Sequence, residues 1–216
     1  MLVLTTRKSI WFGIFLLCIF VGTSARAQVG APTSQVASQV IVSVHNDAHA
    51  PVGTLTSAEA TASRVFREAG LNVEWVNCVR VGNHGPASPC TRAAYPTYLH
   101  IRIVSRARNL PAATFGIAYL AADGSGCYSS VFLEPIAHLH ASTGEGVGPV
   151  LGHVMAHEIA HLLLGTNSHA AEGIMRAQWQ RDELLSVSKG ELLFTPRESQ
   201  VMRARLFEVT RPTVGD

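Results

Sequence analysis

Two histidines four residues apart, with a glutamate directly after the first, form the strongest chemical signal in this sequence. They stand in the segment HEIAH, which spans residues 157–161. Residues four apart lie on one face of a helix, so His157 and His161 can reach one metal ion while Glu158 points beside it. Zinc held by imidazoles lowers the pKa of a water to about 7, and a carboxylate can take its proton as the water attacks a carbonyl. The pattern therefore indicates zinc-dependent hydrolysis with Glu158 as general base.

A helix is independently predicted around this motif. Pro149 suits the start of a helix, and Gly165 suits its end. The segment between them carries an apolar surface around the two histidines, made of Val150, Leu151, Val154, Met155, Ile159, Leu162 and Leu163. We therefore predict a helix over residues 149–164. His153 shares the face of His157, but a helix rises about 6 Å in four residues, so we predict that His153 packs or supports its neighbours rather than binding the ion.

The longer stretch HEIAHLLLGTNSH, followed by GIM, resembles the active-site segment of zincin metallopeptidases and most resembles the metzincin group. In that group a glycine ends the zinc helix, a third histidine comes from the next turn, and a methionine turn passes beneath the metal. Carried over by position, the resemblance implies one Zn²⁺ ion held by His157, His161 and His169, with Glu158 as general base, Gly165 as the helix-ending glycine and Met175 as the methionine turn.

The third ligand departs from the family spacing H-E-x-x-H-x-x-G-x-x-H. The glycine comes one residue later than in that pattern, and the third histidine comes two residues later. His169 is preferred because a Gly-Thr-Asn-Ser turn before it can bend the chain back. Glu183 has a spacing from His161 similar to that of the glutamate-ligand zincins and is an alternative. Glu172 and Asp182 are further alternatives.

The elements that must position this motif alternate between strand and helix. Period-two patterns predict strands over residues 39–44, 71–78, 98–104, 115–121 and 127–133. Capping boxes at Thr56–Glu59 and Thr195–Glu198 predict helices ending near residues 69 and 209. Glycines 144, 146 and 148 lack the strand-loop-lysine context of a phosphate cradle, so we interpret them as a flexible approach to Pro149. His138 and His140 are assigned to a solvated loop.

These elements predict one α+β domain of mixed α/β character over residues 39–216. By resemblance it is a zincin-like domain with a twisted mixed sheet of four to five strands, a backing helix, a zinc-site helix and a C-terminal helix. The resemblance also implies that strand 115–121 or strand 127–133 is the sheet edge lining the cleft. A peptide can add to such an edge as an extra strand. Gly116 and Ala118 are small enough to permit close approach.

The first 27 residues have the pattern of a secretory signal peptide. Arg7 and Lys8 precede an apolar run over residues 10–21, and Ala25-x-Ala27 provides a cleavage site before Gln28. Residues 28–38 are expected to form a short flexible lead. We therefore expect an exported protein, secreted or periplasmic, with no stable membrane association after cleavage. An uncleaved N-terminal segment that anchors the chain in the membrane is the alternative.

Cysteine placement predicts one disulfide in the exported chain. Cys78 and Cys90 flank a turn-rich stretch over residues 81–89, so a bridge between them is the preferred pairing. Cys127 is then the spare thiol. The alternative is three reduced cysteines packed as small apolar residues.

Composition limits the classes of protein that this chain can represent. With 47% hydrophobic and 15% charged residues, a disordered tail or a nucleic-acid-binding arm is excluded. The net charge of +2 depends on Arg7, Lys8 and Arg26, since the remaining chain has 14 basic and 15 acidic residues. The basicity therefore indicates no nucleic-acid partner.

Together these features predict a secreted, monomeric zinc metalloendopeptidase that acts on protein or peptide substrates. A noncatalytic exported zinc-binding or scaffold domain is the alternative from another class, and a different zinc-dependent hydrolase shares the same motif. Glu158 favours catalysis, because a structural zinc site needs no carboxylate there and usually closes with four protein ligands.

Overall fold

A mixed β-sheet of five strands forms the frame of the protein. The computed structural model describes residues 39–78, 85 and 88–210, apart from the side chains of 209 and 210. The strands are β1 (Gln39–Asn46), β2 (Asn72–Cys78), β3 (Tyr98–Val104), β4 (Gly116–Tyr119) and β5 (Tyr128–Phe132). Their order in the sheet is β2-β1-β3-β5-β4, with β4 antiparallel to β5 at one edge and the other pairs parallel. The predicted mixed sheet of four to five strands is therefore confirmed.

Five helices accompany the sheet. They are α1 (Val52–Glu68), α2 (Leu133–Thr143), α3 (Val147–Leu164), α4 (Arg181–Lys189) and α5 (Pro196–Thr210). Strand side chains alternate between faces, so Val42 and Val44 of β1 share one face with their partners Leu99 and Ile101 of β3. All four are buried in the core that includes the inner surfaces of α1 and α3. The backing helix and zinc-site helix of the predicted fold are thus both present.

Helix α3 lies at the centre of this core. It is long and apolar enough to cross a membrane by length and composition, but 83% of it is buried inside the domain. Its apolar character is that of a core helix, because nearly every face contacts other elements. This burial holds the helix backbone rigidly and thereby fixes the side chains that it presents to the sheet edge.

Helix α1 begins five residues earlier than the capping box at Thr56 predicts, because its N-cap is Pro51 and its first residue is Val52. The side chain of Asn46 accepts from the backbone N–H of Ala50 and donates to its carbonyl, both at 2.9 Å, which closes a turn just before Pro51. Pro51, with φ of −55°, leads directly into the helix at Val52. Thr56 therefore lies inside α1, and the prediction of its start there is wrong.

Helix α2 and the glycine run after it also differ from expectation. We assigned His138 and His140 to a loop, but both are exposed on α2, whose sole buried residue is Ile136. One buried position gives little periodicity, which explains why the pattern did not predict this helix. Gly144 ends α2 and Gly146 caps α3, so the run joins two helices rather than forming a long flexible approach.

Two other expectations are met. At the start of α5 the hydroxyl of Thr195 accepts from the N–H of Glu198, and the carboxylate of Glu198 accepts from the N–H of Thr195, as the capping box predicts. A disulfide joins Cys78 to Cys90, and Cys127 has a free, half-buried thiol. The signal peptide and flexible lead assigned to residues 1–38 lie outside the described residues.

Candidate active site

Three histidine side chains lie close together at helix α3. His157 and His161 come from one face of the helix, and His169 comes from the segment after it. One nitrogen of each ring lies within 4.8 Å of the others. The two helical histidines are buried and His169 is exposed. Among the described residues, this is the one cluster in which at least three His, Cys, Asp or Glu side chains lie close enough together to hold a metal ion.

Backbone carbonyls set the tautomers of the two helical histidines. Nδ1 of His157 donates to the carbonyl of Ile174 at 2.7 Å, and Nδ1 of His161 donates to that of Thr166 at 2.8 Å. A carbonyl only accepts, so each Nδ1 carries the proton and each Nε2 keeps a lone pair.

The two unprotonated Nε2 atoms show that the site fits a cation. The Nε2 atoms of His157 and His161 are 3.0 Å apart, a separation at which two lone pairs repel unless a cation lies between them. Zinc binds histidine nitrogen at about 2.0–2.1 Å, so one ion can contact both atoms. Three imidazoles are also a donor set that zinc prefers and that leaves one coordination position open.

Burial keeps these histidines in the neutral form that binds metal. It lowers the pKa of His157 to about 3, with a further decrease from neighbouring His161. Burial likewise lowers the pKa values of His161 and His169. Since only neutral imidazole offers a lone pair, the rings do not have to lose a proton before they bind a metal at neutral pH.

A tight turn after α3 brings His169 to the cluster. Gly165 ends the helix with φ of 66°, a conformation that glycine adopts readily, and its N–H donates to the carbonyl of His161 at 2.9 Å. The hydroxyl of Thr166 then accepts from the N–H of Ser168 at 3.1 Å, which reverses the chain. The longer spacing between glycine and third histidine is therefore compatible with a common site.

The acidic alternatives for the third ligand lie away from the cluster. The carboxylate of Glu183 pairs with Arg176 and accepts from the N–H of Gln180 at 2.7 Å. Glu172 and Asp182 are exposed, and neither belongs to the metal-binding group. Among the four residues that the sequence left open, the structure brings only His169 to the two helical histidines.

Met175 lies in a buried turn that contacts the site through its neighbour. Its side chain is 1% exposed, and its carbonyl accepts from the N–H of Ala170 at 2.9 Å. The preceding residue, Ile174, supplies the carbonyl that orients His157. The segment is thus a turn beside His157, and the methionine turn assigned to Met175 stays a prediction.

Glu158 faces β4 across the cleft. Its side chain is 5% exposed, and burial raises the pKa of the carboxyl to about 8. A cavity of about 630 Å³ opens beside it and includes His157 and His169 in its wall. The rest of the lining comes from the segment before β4, from α3 and from the loop after the methionine turn: Pro111, Ala113, Thr114, Phe115, Gly116, Val154, Arg176, Ala177, Gln178 and Trp179.

Strand β4 is the sheet edge that borders this cavity, in agreement with one of the two strands that we considered. The N–H of Phe132 donates to the carbonyl of Phe115 at 2.8 Å. Hydrogen-bonded and non-hydrogen-bonded pairs alternate along an antiparallel ladder, so the next pair, Gly116 and Val131, is a non-hydrogen-bonded pair. Ala118, two residues further along β4, belongs to the same kind of pair. The N–H and C=O groups of Gly116 and Ala118 therefore point away from β5, toward the open edge.

Trp179 is a residue of the cleft that sequence reasoning did not assign. Its indole N–H donates to the carbonyl of Ile174 at 3.2 Å, the same oxygen that orients His157. Its ring lies edge-on to that of His157 at 6.1 Å and packs on Phe115 at 6.3 Å. A tryptophan in a loop without periodicity gives no signal of such a position.

His153 is buried beneath the site and is not part of it. Its side chain is fully buried, and Nδ1 donates to the carbonyl of Pro149 at 2.8 Å. No described residue is bonded to its Nε2. Its pKa is lowered to about 4, mainly by burial and in smaller part by the nearby positive charge of Arg64. His153 therefore packs as a neutral residue, as its position on α3 predicted.

The fold that carries the histidine cluster is similar to that of a solved archaemetzincin structure. Archaemetzincin from Methanopyrus kandleri superposes with a TM-score of 0.54 at 17% identity, covering 81% of this chain and 99% of that one. A zinc-dependent peptidase from Methanocorpusculum labreanum gives a TM-score of 0.49 at 14% identity, covering 75% and 99%. No protein-family model matches the sequence, and no curated protein matches it significantly. At 17% identity the likeness to archaemetzincin establishes the fold alone.

Proposed function

We propose that this chain is an exported zinc-dependent metallopeptidase that cleaves internal bonds of protein or peptide substrates. One observation carries the proposal: a cluster of three imidazoles able to share an ion adjoins a cavity beside an open strand edge, and His157, His169 and Glu158 line that cavity. The export of the protein rests on the N-terminal sequence pattern. A single ion and a monomeric chain are part of the same proposal.

The residues of the site have distinct roles in the proposed reaction. His157, His161 and His169 would hold one zinc ion, which supplies a Lewis acid and lowers the pKa of a water to about 7. The positive charge of a bound ion would favour the ionised form of Glu158, which would then accept the proton of the attacking water and later donate it to the leaving amine. The carbonyls of Ile174 and Thr166 keep the histidine rings oriented throughout.

The substrate is proposed to bind as an extra strand along β4. The outward N–H and C=O groups of Gly116 and Ala118 can bond the backbone of an extended peptide. Such bonds recognise any stretch of chain rather than a terminus, which favours an endopeptidase. Phe115 and Trp179 provide an aromatic wall for a substrate side chain beside the ion.

Metal analysis combined with a proteome-derived cleavage profile tests the proposal. We expect the purified mature chain to bind one zinc ion per molecule and to cleave unfolded proteins. Glu158→Gln should retain the metal and lose at least about 100-fold in kcat, because its amide cannot accept the proton. Full activity in this variant would contradict the catalytic role, and zinc binding without any cleavage by the wild type would favour the noncatalytic alternative.

A further inference from the structure

Gly116 of β4 lies directly against the carboxylate of Glu158. A Cβ atom built at this glycine would stand 2.5 Å from Oε1, 2.6 Å from Cγ and 2.7 Å from Cδ of that glutamate. These distances are well inside van der Waals contact, so a side chain at position 116 and the present position of the carboxylate exclude each other. The two residues belong to different elements, the edge strand and the zinc-site helix.

Position 116 has no room for a side chain because of the Glu158 side chain, and not because of the backbone of α3. All three nearest atoms to the added Cβ belong to the Glu158 side chain. Gly152 shows the contrasting case, since a Cβ there would meet the backbone of Ala58 on α1. Ala118, the next residue on the same face of β4, carries a Cβ and is buried. The strand therefore accepts a methyl group on this face wherever Glu158 is not opposite.

No hydrogen bond holds the Glu158 carboxylate within the part of the chain that the structure describes. Burial is the sole cause of its pKa shift, in agreement with the absence of bonded donors. The carboxylate can rotate toward the cavity that it lines. Its position is consequently determined by packing, and the surface of β4 at Gly116 is the packing surface.

We propose that Gly116 is a positioning residue, whose lack of a Cβ atom determines the position of the Glu158 carboxylate in the cleft. This inference rests on the proposed role of Glu158 as general base. A methyl group at position 116 displaces the end of a flexible side chain while leaving two backbones in place. Substitution therefore moves the carboxylate without unfolding the protein.

Gly116→Ala is the direct test, with Gly53→Ala as the matched control. A Cβ at Gly53 meets no atom within 4 Å, so the control adds the same methyl group without a contact. A displacement of about 1 Å at a reacting group can cost about 100-fold in rate. We expect Gly116→Ala to lower kcat by about that factor with KM within about twofold, because the backbone groups of residue 116 remain. Gly53→Ala should match the wild type, and a kcat for Gly116→Ala within threefold of wild type overturns the inference.

Crystal structures of the metal-free wild type and Gly116→Ala give a readout that is independent of activity. We expect the Glu158 carboxylate to move by about 1 Å or more in the variant, with the backbones of α3 and β4 unchanged. An unmoved carboxylate overturns the inference even if the rate falls. A moved carboxylate in a protein that proves to have no peptidase activity leaves the positioning contact established and refutes the proposed function alone.

Truncation in Glu158→Ala completes the test as a double-mutant cycle on stability. Alanine removes Cγ, Cδ and both carboxylate oxygens, which include the three atoms nearest to the added Cβ. Adding Gly116→Ala to Glu158→Ala should therefore leave the melting temperature of Glu158→Ala unchanged. If Gly116→Ala alone loses its fold, the double variant must fold like Glu158→Ala, and a lower melting temperature in the double variant overturns the inference.

Discussion

The carbonyl of Ile174 connects the buried methionine turn to the candidate metal site. It accepts hydrogen bonds from Nδ1 of His157 and from the indole of Trp179. A turn that holds this oxygen in place therefore orients a ligand and a cleft wall at once. Met175 can act through this turn by filling the core next to it, with no contact to the ion required.

Replacement of His169 tests the third ligand at the scale of one residue. We expect His169→Ala to weaken zinc binding by more than about 100-fold, because two ligands remain and even supporting partners are worth 10–100-fold. Competition with a chromophoric chelator measures this affinity. Glu172→Gln and Asp182→Asn are the controls, and both should bind zinc within about twofold of the wild type. Wild-type affinity in His169→Ala would instead assign the third ligand to an acid.

The end of the zinc-site helix depends on a second helix. Arg205 of α5 donates to the carbonyl of Leu164 in the last turn of α3, where helical carbonyls lack partners of their own. The same helix is anchored at its start by the capping box of Thr195 and Glu198. A well-formed α5 thus supports the turn that brings His169 to the histidine cluster.

The two threonines of predicted capping boxes allow a matched comparison at the scale of helices. Thr195→Ala removes a true cap and should lower the free energy of unfolding by about 1 kcal/mol. Thr56→Ala alters an exposed position inside α1, where alanine is the better helix former, so stability should stay equal or rise by a few tenths of a kcal/mol. Urea denaturation of both variants measures the difference. Equal losses would contradict the helix start at Val52.

The interior of the molecule contains a histidine whose burial favours the neutral form. His153 lies in the buried centre of α3, near the positive charge of Arg64 on α1 and the ring of Trp179. Charging it would place a cation in an apolar core, which explains why burial lowers its pKa to about 4.

Acid should therefore destabilise the whole molecule through His153. Its folded pKa of about 4 lies below the ordinary histidine pKa of 6.5, so its contribution is complete above pH 6.5 and is lost as pH falls to about 4. The difference corresponds to about 3 kcal/mol. Unfolding free energies of the metal-free wild type and His153→Phe, compared between pH 7 and pH 4, measure it. We expect the free energy of unfolding to depend less on pH in the variant. The other histidines are present in both proteins, so their contributions cancel in the comparison. Parallel curves would contradict the prediction.

Local patterns in the sequence determined most of the elements and two candidate ligands of this protein. Strand β3 and the end of α3 follow their predicted bounds because period-two and helical patterns reflect burial by immediate neighbours. His157, Glu158 and His161 share one helical turn, so their geometry is set by the helix itself. The Thr195 capping box is likewise a contact between residues three apart.

Features that depend on distant residues were decided by the tertiary structure alone. The start of α1 follows a turn closed by Asn46, and α2 is held by a single buried residue, so neither has a local pattern. The sequence left four choices for the third ligand because a loop can carry His169 to many places until the helix cap and the core are formed. The contact between Gly116 and Glu158 joins an edge strand to a helix 42 residues later. Such a contact arises only when the sheet packs on α3, because no propensity of either segment specifies its partner.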